Sequence, residues 1–159
     1  MKEKEIKTNA MRQLDAAGIS YEVRTYPVDE NDLSGSHMAD VVGLAHDLVF
    51  KTLVAKGDKT GPVVFCIPVD PEIDLKKAAR ATGNKKIEML HVKDLPGLTG
   101  YIRGGCSPIG MKKKFPTFFD NSVLGKEKIT VSAGVRGAQL YLSAKDLLAF
   151  VNATCAELI

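Results

Sequence analysis

LVFKTLVAKGDKTGPVVFCIPV, residues 48–69, decides how this chain folds. Two apolar runs flank GDKTG, whose glycines and polar centre read as a turn. Each run is rich in Val, Leu and Phe with little polar alternation, the pattern of a strand covered on both faces. The pair is expected as a hairpin at the centre of a sheet. One residue breaks the pattern: Lys51 interrupts the first run, where an ammonium costs free energy unless it is paired or reaches water. It is either a strand-end side chain stretching to solvent, or a cation aimed into a pocket to hold a carbonyl, phosphate or ribose oxygen.

Before the hairpin, Ile6, Ala10, Leu14 and Ala17 recur at helical spacing ahead of Gly18, which predicts an amphipathic helix over residues 3–17. Tyr21, Val23 and Thr25 alternate with charged residues and predict a half-buried strand ending at Tyr26 and Pro27. HMADVVGLA predicts a short helix. Beyond the hairpin, Asp74 is placed to cap a helix through LKKAARAT to Gly83. Short strands are predicted at KIEML, GYI, TFF, ITVS and QLYLS. Ser143 and Asp146 form a capping-box-like pair opening a last helix, with Leu147, Val151, Thr154 or Cys155, and Leu158 on its apolar face. Strands and helices do not alternate regularly, so a doubly wound parallel sheet is disfavoured. Without a repeat or linker, residues 1–159 are expected to form one domain.

Composition narrows the function. With 45% hydrophobic and 26% charged residues, the chain has the balance of a folded domain. No apolar run approaches membrane-spanning length, and MKEKEIKTNA lacks the apolar core of a signal peptide, so a cytoplasmic location with no membrane contact is expected. Cys66, Cys106 and Cys155 are odd in number and form no CxxC, which argues against a disulfide framework and a zinc site; no metal or cofactor is expected. His37, His46 and His91 have no carboxylate or second His at ligand spacing and are expected in solvent. A net charge of +3 is too mild for a protein gripping a long nucleic acid through many phosphates. Any RNA contact should be small, such as a strand end.

Two glycine clusters remain. In GYIRGGCSPIGMKKKFP, residues 100–116, Gly104, Gly105 and Gly110 can bring bare backbone close to a ligand, and Ser107 and Pro108 set a turn. Lys112, Lys113 and Lys114 add charge beside them, either a solvated face or a means of steering an anion. In VSAGVRG, residues 131–137, Ser132, Gly134 and Gly137 surround Arg136 in the same way. Each cluster alone is equally a tight turn or a ligand cradle. Both together with Lys51 point to a single pocket. Cys106 has no recognisable activating His and reads as a small loop residue.

TNAMRQLDAAGISYEVRTY, FKTLVA, LKKAARATGNKKIEM, TGYIRGGCSPIGMKKKFPTFFD and VSAGVRG, in that order, closely resemble the YbaK/EbsC family, the Cys-tRNA(Pro) deacylases. They also show similarity to the editing domain inserted in bacterial prolyl-tRNA synthetases. The resemblance implies a mixed α/β, α+β-like fold with a barrel-like, largely antiparallel mixed sheet flanked by helices. It implies a trans-editing enzyme that cleaves the ester linking cysteine to the 3′-terminal adenosine of mischarged tRNA(Pro), acting with prolyl-tRNA synthetase. Lys51 matches the family's essential lysine and Tyr26 the tyrosine ending the first strand. Gly104, Gly105, Ser107, Pro108 and Gly110 match one glycine loop; Ser132, Gly134, Arg136 and Gly137 match the other. The implied roles are carbonyl-holding amides at Gly104 and Gly105, adenosine contacts from Lys51 and Tyr26, and substrate binding by the remainder. Some members carry Asp where this chain has Gln139. Family proposals let the substrate's thiol attack its own ester, a step that gains from effective molarities of roughly 10⁵–10⁸ M in well-oriented model systems. The alternatives are a deacylase for another small aminoacyl-tRNA, such as Ala-tRNA(Pro), using an activated water, and a non-catalytic module binding an RNA end or nucleotide.

Overall fold

A computed structural model describes residues 7–159. The start of the first predicted helix, residues 3–6 with Ile6, lies outside the described residues. In chain order the elements are α1 (Asn9–Ala16), β1 (Tyr21–Thr25), α2 (Gly35–Val42), β2 (Phe50–Gly57), β3 (Gly61–Pro68), α3 (Leu75–Thr82), β4 (Ile87–Met89), α4 (Leu95–Thr99), β5 (Thr117–Asp120), β6 (Lys128–Ser132), β7 (Ala138–Ser143), α5 (Ala144–Phe150) and β8 (Thr154–Ala156).

The expected hairpin forms as β2 and β3, antiparallel from Phe50↔Pro68 to Gly57↔Gly61. It lies within a five-stranded sheet ordered β4-β2-β3-β5-β8, whose β3–β5 and β5–β8 pairs are parallel. A second, antiparallel sheet is ordered β1-β7-β6. The fold is mixed α/β with mainly antiparallel pairing, as the resemblance implies, but the strands make two sheets and no closed barrel among the described residues. One parallel bridge, Val49↔Thr130, links the two sheets.

The burial pattern explains the apolar runs. Phe50, Val54 and Phe119 face the second sheet, meeting Ile129, Val131, Leu140 and Leu142 in a core closed by Met11 and Leu14 of α1. Ala55, Val63, Phe65 and Ile67 point the other way, onto Ala78 and Ala79 of α3 and onto Leu158. A central strand buried on both faces must be apolar at successive positions, and β3 is.

The helix caps follow the sequence signals. Thr8, Ser34, Asp74 and Ser143 each accept a backbone N–H from the first turn of the helix they precede. Two expectations fail. GYI is not a strand: Gly100 ends the short helix α4, which has Pro96 in its first turn, and Tyr101 is buried in the following loop. The last helix stops at Phe150, because Asn152 takes a left-handed conformation (φ 53°) and the chain turns into β8 beside β5. Leu158 reaches the core from this tail, where its N–H donates to buried Asp120 at 3.0 Å.

Asn84 ties the hairpin turn to α3. Its Oδ1 accepts from Lys59 N (2.8 Å) and Thr60 N (3.0 Å), and its Nδ2 donates to Thr82 Oγ1 (2.7 Å) and Thr60 Oγ1 (3.0 Å). Gly57 makes room for it, since a Cβ there would stand 2.2 Å from Asn84 Nδ2. Asn84→Ala strands two turn amides and is expected to lower stability by about 1–3 kcal/mol, read as a shifted urea midpoint with an unchanged slope.

Candidate active site

The site begins where β2 is left half-paired. β4 covers β2 only at Ala55–Gly57, so apart from one further bond, from Leu90 N to Val54 O, residues 50–54 have no β4 partner. A cavity of about 410 Å³ runs along that stretch and is lined by all five residues. Gly35, Ser36 and Met38 of α2 form one wall; Arg103, Gly104 and Cys106 form another. Ser132 and Gln139, cross-strand partners on β6 and β7, line it from the second sheet, and Tyr26 stands at the end of β1. Met89, Leu90 and Leu95 add an apolar side.

Lys51 is half-buried in this cavity. Its Nζ donates to Val69 O at 3.3 Å, and among the described residues it pairs with no carboxylate. Lys51 therefore stands in the cavity wall near the start of β2, with its ammonium on a backbone carbonyl. Tyr26 is fixed by its backbone, with its N–H donating to Gly137 O at 2.9 Å. A small hollow beside the cavity is shared by Tyr26, Gly104 and Arg136.

The two glycine clusters meet face to face. Arg136 Nε donates to Arg103 O at 2.8 Å, clasping one loop to the other. A Cβ on Gly105 would lie 3.1 Å from Arg136 N and Val135 C, so these backbones approach too closely for a side chain. Tyr101 is the second clasp: its hydroxyl donates to Ile109 O, while a Cβ on Gly110 or Gly134 would meet its hydroxyl at 2.9 Å or its ring at 3.0 Å.

The predicted residues therefore separate. Lys51, Tyr26, Gly104 and Ser132 line the cavity, and Arg136 lies in the adjoining hollow. Gly105 does not line it, and its N–H is already committed to Ile102 O at 2.9 Å. Ser107 is fully buried and its Oγ accepts from Ile109 N. Gly134 packs on Tyr101, and Gly137 packs on Tyr26 O and Val28. Pro108 and Gly110 line a different cavity, of about 460 Å³, together with Lys113 and Lys114. Lys113 and Lys114 are thus set apart from the Lys51 cavity.

Gln139 is the residue whose role sequence left open. It is 3% exposed, it lines the cavity, and its Oε1 has no hydrogen-bond partner among the described residues. A buried unpaired acceptor is costly, and one at a cavity surface is placed to receive a ligand's N–H or O–H. The available signal was a polar residue opening the otherwise apolar run QLYLS. Cys106 is buried, which pushes its thiol up to about 12, so it stays protonated at neutral pH. Among the described residues, no cluster of three or more His, Cys, Asp or Glu side chains is arranged to hold a metal.

Residues 34–150 match the aminoacyl-tRNA editing domain family. The chain belongs to that family. This deacylase is 49% identical over 152 residues to EbsC of Enterococcus faecalis (strain ATCC 700802 / V583), named as a candidate Cys-tRNA(Pro)/Cys-tRNA(Cys) deacylase; the match covers 96% of this chain and 93% of that protein. It is also 34% identical over 73 residues to a proline–tRNA ligase of Brachyspira hyodysenteriae (strain ATCC 49526 / WA1), covering 46% of this chain and 13% of the ligase. A crystal structure described as a candidate trans-editing enzyme for prolyl tRNA synthetase superposes with a TM-score of 0.82 at 26% identity, covering 96% of this chain and 98% of that one. The deacylase acts on aminoacyl-tRNA, and none of its described helices is long and apolar enough to cross a membrane.

Gln139→Leu removes the cavity-facing acceptor while keeping the volume apolar. Deacylation is expected to lose roughly tenfold or more in kcat/KM, the scale of about 1–3 kcal/mol for one lost polar contact, with an undiminished melting temperature.

Proposed function

We propose that this deacylase clears cysteine from mischarged tRNA(Pro) in trans, with the substrate supplying the nucleophile. One observation carries the reading: among the described residues no histidine, aspartate or glutamate lines the cavity, and its cysteine is held protonated. An activated-water hydrolase needs a base within hydrogen-bond reach of that water, and among the described residues this cavity offers no imidazole or carboxylate for the task. A cysteinyl ester needs no such base, because its own thiol lies a few bonds from the carbonyl. The similarity to EbsC supports the same substrate.

In the proposed step the substrate sulfur attacks the ester carbonyl carbon and its proton passes to solvent. The tetrahedral oxyanion collapses with cleavage of the carbon–oxygen bond to the ribose. The ribose oxygen takes up a proton from solvent, releasing free tRNA and a cysteine thiolactone, which water then opens to cysteine. Proximity drives the attack, and the strain of a four-membered ring offsets part of that gain. Gly104 presents backbone to the oxyanion, while Lys51 and Tyr26 hold the terminal adenosine. Gln139 Oε1 accepts from the substrate ammonium and Ser132 lies beside it. Arg136, in the adjoining hollow, meets the terminal phosphate. Gly105, Ser107, Pro108, Gly110, Gly134 and Gly137 act indirectly, by shaping the two loops.

The mild net charge supports delegating tRNA choice to a partner, which we take to be prolyl-tRNA synthetase in the cytoplasm, with residues 1–159 working as one editing domain.

Rates on Cys-tRNA(Pro), Ser-tRNA(Pro) and Ala-tRNA(Pro) test the substrate-thiol mechanism. Cysteine should be cleared far faster than serine or alanine, and equal rates on all three would sink it. Lys51→Ala should cost roughly 10²–10³ in kcat/KM while melting cooperatively like the parent, since its role is assigned to the ligand and not to the core.

A further inference from the structure

Lys51 faces the cavity unpaired although a carboxylate stands nearby. Asp70 follows β3 directly after Val69, the residue whose carbonyl receives the Lys51 ammonium; hydrogen bonds from Ser36 and then His46 hold the Asp70 carboxyl below its ordinary range, with the charges of His46 and, least, Lys51 adding to them. Asp70 is engaged instead by a chain of side chains behind the cavity wall. Ser36 Oγ donates to Asp70 Oδ1 at 2.5 Å. His46 Nδ1 stands 2.9 Å from both Asp70 oxygens, and its Nε2 stands 2.6 Å from Asp40 Oδ1. Carboxylates at both nitrogens favour the doubly protonated ring, the form that can donate to both.

The network joins three segments at one point. Ser36 and Asp40 belong to α2, His46 to the 3₁₀ turn His46–Leu48, and Asp70 to the bend two residues past β3. α2 is seated tightly there, since a Cβ on Gly35 would stand 2.5 Å from Val69 Cγ1. The other charges around the turn are spoken for: Lys126, ahead of β6, pairs with Asp47 at 3.1 Å. The cations whose charges act on Asp70 are His46 and Lys51.

We propose that His46 is a positioning residue for the deacylase: by occupying Asp70 it keeps the Lys51 ammonium free for substrate and pins the α2 wall of the cavity to the strand end. This rests on reading Lys51 as a substrate-holding cation. Without His46, Asp70 turns to the next cation within reach, and Lys51 is drawn into an internal ion pair. Asp40 and Asp70 both raise the His46 pKa, Asp40 more strongly. The sign follows: a group bound in its protonated form contributes fully at low pH, and the contribution is lost as pH rises through its raised folded value.

The decisive experiment is a rescue. His46→Ala should lose roughly ten- to a hundredfold in kcat/KM, mostly through KM, with Cys-tRNA(Pro) as substrate. Adding Asp70→Asn to that variant removes the competing charge and should restore most of the loss, a recovery that a merely structural role for His46 would not give. A double variant as impaired as His46→Ala, or a fully active His46→Ala, overturns the proposal. NMR titration of the Lys51 side chain reads the same effect without substrate. Its pKa should rise in His46→Ala and return in the double variant; an unchanged Lys51 titration also overturns the proposal. Should His46→Ala fail to fold, His46→Gln, which keeps one donor for Asp70, takes its place with intermediate effects expected. Absence of wild-type activity on Cys-tRNA(Pro) would count against the substrate reading of the preceding subsection, and the Lys51 titration would then judge His46 alone.

Discussion

Strand β2 is paired along its whole length with β3 and along only three residues with β4. That asymmetry is what the rest of the structure serves. A sheet edge left open inside a domain exposes polar backbone and must be covered or given to a ligand. Here α2 and the loop through Gly104 stand across it and leave a space between, so the open edge becomes one side of the cavity. The paired half of β2 does the opposite work. Ala55 and Gly57 are locked between β3 and β4, and Asn84 fixes the turn beyond them. One strand is thus rigid scaffold at its C-terminal end and cavity wall at its N-terminal end.

The two glycine loops are equally divided in labour. Their small residues serve mainly to let the loops reach each other, with Tyr101 and Arg136 as the clasps. Only Gly104 among the glycines of the two loops faces the cavity. Close loop-to-loop packing explains how a segment built from turn residues can hold a backbone group in place: the glycines are spent on rigidity, and one is left to face the ligand.

Much of this was legible in the residues. The 48–69 hairpin, the Asp74 cap and the Lys51 anomaly each rest on a local rule, and each appears where that rule puts it. The shared pocket was legible because two glycine loops and one misplaced cation are hard to explain separately. The failures are nonlocal. GYI reads as β-prone, yet Tyr101 is claimed by Gly110 and Gly134, far along the chain. Val151 and Leu158 sit at helical spacing, but the pairing of β8 with β5 outweighs that periodicity. His46 looked solitary because Asp70 lies 24 residues away and only the end of β3 brings it near. Spacing along a sequence finds ligands on one helix or turn and is blind to those joined by a sheet.

The buried thiol of Cys106 acquires a different meaning beside the substrate proposed above, which carries a thiol of its own. Exchange between sulfurs needs a thiolate, and oxidation to a mixed disulfide proceeds through the same species. By holding its cavity cysteine protonated, the fold would keep that sulfur from exchanging with such a substrate. Chemical inertness of a wall residue is then a form of resistance to product capture, obtained from burial alone.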